Sequence, residues 1–99
     1  MLTINKTVEN GVALFKPEGK LDTVTAPDLE NAVKECLNEI TVLKFDFEKL
    51  EYISSAGLRV LLSAQKAMNE KGEMELFNVN DSVMEIFNVT GFSDILTIK

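Results

Sequence analysis

The sequence predicts a small α/β fold, a mixed sheet flanked by helices that opens with an antiparallel hairpin and then alternates strand and helix in the order ββαβαβαβ. Three observations carry this. Asn10-Gly11 sits between two alternating apolar runs, the strongest short-range hairpin signal. Apolar residues recur at helical spacing in three separate stretches. Short β-rich runs lie between those stretches, and strands joined through helices must run parallel with right-handed crossovers.

In chain order, Leu2, Ile4, Lys6 and Val8 alternate before the turn, and Val12, Leu14 and Phe15 follow it, giving strands near 2–8 and 12–18. Gly19 is read as the break that ends the second. Thr25 then opens a helix, with Pro27 inside its first turn and Asp28 three residues on. Within it Leu29, Ala32, Val33, Cys36, Leu37 and Ile40 form one stripe, which makes Cys36 a core residue. Val42–Phe47 reads as a central strand covered on both faces, with Lys44 and Asp46 near its ends or at an edge. After Glu48–Ile53, a broadly apolar helix begins at Ser54-Ser55-Ala56-Gly57 and ends near Lys71-Gly72. Met74–Val79 reads as a strand. Asn80 or Asp81 caps a third helix carrying Val83, Ile86 and Phe87, closed by Gly91 before a final strand at 95–98.

The 99 residues suit one domain spanning 1–99, and 45% hydrophobic with 26% charged residues is the balance of a chain with a packed core. No apolar run approaches the roughly 20 residues that cross a bilayer, and MLTINKTVEN lacks the features of a signal peptide, so the expectation is a cytoplasmic protein off the membrane. One cysteine and no histidine leave neither an internal disulfide nor a metal cluster to expect, and no cofactor. A net charge of −6 with scattered Lys and Arg argues against nucleic acid as a partner. The hairpin edge carries Lys and Asn, and a monomer is expected.

The informative segment is Ser54-Ser55-Ala56-Gly57, at a strand-to-helix junction where unpaired N–H groups and the helix dipole favour an anion. Local physics leaves two readings open: a serine that caps the helix, and a serine that accepts a modification.

The wider run Tyr52-Ile53-Ser54-Ser55-Ala56-Gly57-Leu58-Arg59-Val60-Leu61-Leu62 closely resembles the signature of the STAS family, shared by sulfate transporters and anti-sigma factor antagonists. Gly19-Lys20-Leu21-Asp22 and Phe45-Asp46-Phe47 fit the same family, so the resemblance spans essentially the whole chain and implies a STAS-like sheet. It further implies an anti-sigma factor antagonist. The unphosphorylated form would bind an anti-sigma factor that is also a serine protein kinase, freeing a sigma factor; phosphorylation would release it, and a PP2C-type phosphatase would restore the binding form. The family's phosphoserine, two residues before the signature glycine, falls on Ser55, with Ser54 as the alternative acceptor where many antagonists carry Asp.

Partner contacts are expected at Asp22, Thr23, Ser54, Ser55, Gly57, Leu58 and Arg59. For Asp22 two roles stay open, electrostatics of the phosphate site and a plain turn or cap. Asp46 reads as structural, and Leu58 reads equally well as core. The alternative function is a STAS scaffold that binds another signalling partner. An enzyme is not expected: serine needs an activating base, there is no histidine, and neither serine begins a Ser-x-x-Lys pattern. The phosphate loop of nucleotide-binding proteins is missing too.

Overall fold

The computed structural model describes residues 2–99. Strand β1 (Leu2–Glu9) and strand β2 (Val12–Leu21) form the hairpin, and helix α1 (Ala26–Cys36) follows with a short 3-10 turn at Leu37–Glu39. Next come β3 (Val42–Asp46), β4 (Leu50–Ile53), α2 (Ser55–Asn69), β5 (Glu73–Phe77), α3 (Asp81–Thr90) and a 3-10 turn at Phe92–Asp94. The sheet runs β1-β2-β3-β5, with β4 added beside the far half of β2.

Asn10 and Gly11 both take positive φ, 51° and 79°, which is what a two-residue turn matching the strand twist requires. The hairpin then keeps one register from Leu2↔Gly19 to Glu9↔Val12. β2 is the organising strand because it changes partner along its length. Residues 12–15 pair in parallel with β3, and 19–21 pair in parallel with β4.

Three expectations change. Gly19 does not end the second strand; at φ 108° it carries the chain through the register shift that lets Lys20 meet Tyr52. The segment before Ser54 is a strand in its own right, whereas the expected strand at 95–98 is reduced to one parallel bridge, Leu76↔Ile98. The order among the described residues is therefore ββαββαβα, still a mixed sheet with an antiparallel hairpin and parallel crossovers.

The core lies between one sheet face and the helices. Ala13, Phe15, Leu43, Phe45, Met74 and Leu76 point into it and meet Leu29, Val33, Leu61 and Met68. The rings of Phe15, Phe45 and Phe47 run in series with centroids 5.6 and 5.5 Å apart, a favourable tilted arrangement. Cys36 is buried as the helical stripe requires, and burial pushes its thiol pKa up.

β3 is not covered on both faces. Val42, Lys44 and Asp46 are half-buried, and Val12, Leu14, Val42 and Phe77 stand outside the core cluster on the opposite face. Lys44 accordingly sits in mid-strand, beside Leu14 and Glu75, with its ammonium 5.6 Å from the Phe77 ring centroid.

α2 ends at Asn69, before Lys71-Gly72. Gly72 is required for a different reason than a helix stop: a Cβ there would lie 1.7 Å from the Thr41 carbonyl oxygen. α3 follows its sequence signals, with the Asn80 side chain accepting from the Val83 N–H at 2.9 Å and Gly91 closing the helix at φ 81°.

Candidate functional site

The parallel pairing of β2 and β4 brings the two loops of interest together. Leu21 pairs with Ile53, and the Ser54 N–H donates to the Leu21 carbonyl at 2.8 Å, so the residues that follow, Asp22 and Ser55, leave the same end of the sheet. Gly57 makes this closeness feasible. A Cβ at that position would lie 2.7 Å from Ile53 Cγ1 and 2.8 Å from Leu21 Cγ, so only glycine lets α2 sit this low on the two strands.

Ser54 and Ser55 take different jobs. Ser54, with extended backbone, is the N-cap of α2, and its Oγ accepts from the Gly57 N–H at 3.5 Å. Ser55 is the first residue of the helix and its side chain is exposed. The amides of Ser55 and Ala56 have no carbonyl one turn back, so the helix start presents donors and positive potential beside the free hydroxyl.

Asp22 builds the neighbouring loop. Its Oδ1 accepts from the Val24 N–H at 3.0 Å and the Thr25 N–H at 3.1 Å, an Asx-type turn. The Thr25 N–H is the main reason the carboxyl is held below the usual carboxylate range; the Thr25 hydroxyl and Val24 N–H add to it against the opposing effect of burial. Thr25 is buried, and its hydroxyl does not cap α1: it accepts from the Asp22 N–H at 2.9 Å and donates to the Lys20 carbonyl at 2.8 Å. Asp22 is thus a turn residue in geometry, standing at the rim of the Ser55 surface.

This loop thrusts Val24 into solvent at 83% exposure, a residue that sequence reasoning missed. The available signal was an apolar residue between two threonines, off the α1 stripe. Thr23 and Arg59 are exposed and line a shallow hollow with Pro27, Glu30 and Ala56, where the starts of α1 and α2 meet. Leu58 does not belong to this surface. At 6% exposed it is part of the core, because the first turn of α2 must bury one apolar residue to seat the helix; Gly57 is buried with it. Asp46 is the last residue of β3, where its Oδ1 accepts from the Glu48 N–H and the Asn78 side chain, a structural role.

Among the described residues no group of three or more acidic, histidine or cysteine side chains could hold a metal ion, and no helix is long and apolar enough to cross a membrane. The surface around Ser55 combines an exposed hydroxyl, a helix start that favours an anion and an exposed apolar side chain.

The STAS domain family model matches residues 3–99. The chain is 35% identical over 83 residues to the anti-sigma-B factor antagonist of Listeria monocytogenes, covering 82% of this chain and 73% of that protein. Its fold is similar to the crystal structure of an anti-sigma factor antagonist from Mycobacterium paratuberculosis, with TM-score 0.89 and 21% identity over 99% of this chain and 85% of that one. It is also similar to the Bacillus cell fate determinant SpoIIAA in its phosphorylated form, with TM-score 0.76 and 16% identity over 100% and 91% of the two chains.

Proposed function

Because the chain belongs to the STAS domain family, we propose that it is an anti-sigma factor antagonist in which residues 1–99 form one regulatory domain and Ser55 is the switch. Unphosphorylated, it docks as a monomer on an anti-sigma factor that is also a serine protein kinase, and so frees a sigma factor in the cytoplasm. Phosphorylation of Ser55 ends docking, and a PP2C-type phosphatase restores it. The protein performs no catalytic step itself.

The observation that supports this reading is the division of labour between the serines. Ser54 is committed to capping α2, while Ser55 is exposed beside first-turn amides. A phosphate on Ser55 adds about −1.5 to −2 charges to a surface that must otherwise pack against the partner. Stranding charge in an interface costs a few kcal/mol, and each 1.4 kcal/mol is about tenfold in affinity, so a loss of roughly a hundredfold follows. The helix start meanwhile stabilises the phosphate within this protein, so docking is blocked without unfolding the domain. Val24, Thr23 and Arg59 supply the surrounding contacts, and Asp22 holds the loop that presents Val24.

The test is incubation with the anti-sigma kinase and ATP, read by intact mass and peptide mapping. One added phosphate on Ser55, lost in Ser55→Ala, is expected; a phosphate that maps to Ser54 or survives Ser55→Ala would sink the assignment.

A further inference from the structure

Far from Ser55, where α2 ends against β5 and the C-terminal segment, lies a polar cleft that the switch does not use. Gln65 stands ten residues beyond Ser55, about 15 Å along the helix at 1.5 Å per residue. It is only 5% exposed, and while its Nε2 donates to Asn69 Oδ1 at 2.9 Å, its Oε1 is buried with no hydrogen-bond partner. A buried amide oxygen left unpaired is costly, and such groups call for an explanation.

The surroundings say what would satisfy it. Glu73 and Glu75 line the same cleft, and the ammonium of Lys99 already lies 3.4 Å from Glu75 Oε2, so one cation is drawn there from within the chain. β5 adds an open edge. The Leu76 N–H donates to Thr97 and its carbonyl accepts from Lys99, and the two-residue alternation of a strand turns the Met74 N–H and C=O toward the same side. Acceptors therefore predominate: an orphan amide oxygen, two carboxylates and a backbone carbonyl.

We propose that this cleft binds a guanidinium group, whose planar fan of five N–H donors matches a lining in which acceptors predominate. The group can come from an arginine side chain of a partner protein or from a free guanidino compound.

The test is a ¹⁵N-resolved NMR titration of the full chain with methylguanidinium and with the blocked tripeptide acetyl-Gly-Arg-Gly-amide, against sodium chloride as control. Saturable shifts are expected at the side-chain amides of Gln65 and Asn69 and at the backbone of Met74 and Glu75. Glu75→Gln should weaken binding by about fivefold or more, and Lys99→Ala, which removes the internal competitor, should tighten it. Tighter binding of the tripeptide points to a protein arginine; equal or weaker binding points to a free guanidino compound. Shifts that do not saturate, that sodium chloride reproduces, or that persist unchanged in Gln65→Leu would overturn the proposal.

Discussion

Ser54 and Ser55 are adjacent and chemically identical, yet their environments separate them. Ser54→Ala removes the α2 cap and should cost about 1 kcal/mol in urea unfolding, whereas Ser55→Ala should stay within about 0.5 kcal/mol. Equal losses would show that the two hydroxyls do not divide the work as their contacts indicate. Asp22 makes a pH-dependent contribution. Its carboxyl is held below its unfolded pKa by donors from Thr25 and Val24, so its stabilisation is fully present above the unfolded value of about 3.9 and is lost as pH falls through the lower folded value. The stability gap between the protein and Asp22→Asn should therefore close as the pH is lowered below about 4; a gap that widens there contradicts the Asx-turn account. Val24, at 83% exposed, adds nothing to the core. Val24→Ser should leave the melting temperature unchanged and weaken partner binding by about tenfold, as loss of an apolar anchor does. The sequence singled out Ser55 through its neighbours and left the role of Asp22 open between a turn and a site. Val24 carried only a weak signal, its place between two threonines off the α1 stripe, because exposure of one apolar loop residue depends on how Asp22 folds the loop.

At the scale of elements, two glycines set how closely the pieces approach. Gly57→Ala presses a methyl into Ile53 and Leu21, flexible side chains that can shift, and should cost about 1–3 kcal/mol. Gly72→Ala drives its methyl into the Thr41 carbonyl, which also accepts the Glu73 N–H that starts the β3–β5 ladder, so its loss should exceed that at Gly57. Chemical denaturation of both variants checks the ranking. The hairpin and all three helices were legible because Asn10-Gly11, the apolar stripes and the Asn80 cap are local signals. β4 was not legible. Its buried residues, Leu50 and Ile53, are three apart rather than two, because the register shift beside Gly19 breaks the alternation by which a strand is recognised. The last strand failed in the opposite sense: Ile95–Ile98 is apolar enough for a strand, but the segment forms a single bridge to β5, Leu76↔Ile98, held by the Thr97 carbonyl and the Lys99 N–H. Lys44 in mid-strand was unexpected because a parallel strand ordinarily has both faces covered, and here one face is left to half-buried side chains.

For the whole molecule, the proposed switch depends on a division between a surface that changes and a scaffold that does not. The Ser55 end carries an exposed hydroxyl on a helix start anchored by Gly57 and Leu58, and the core behind it is continuous from β2 to α3. At physiological ionic strength charges are screened beyond about 8 Å, so a phosphate there would act on the surface around Ser55 rather than through the net charge of the chain. The most direct measurement is calorimetric titration of the anti-sigma kinase with unphosphorylated and Ser55-phosphorylated protein, paired with thermal unfolding of both. The expected result is an affinity loss of roughly a hundredfold with the melting temperature of the free protein essentially unchanged. Affinity that survives phosphorylation, or lost affinity accompanied by a large drop in melting temperature, would contradict a switch that works by blocking the docking surface.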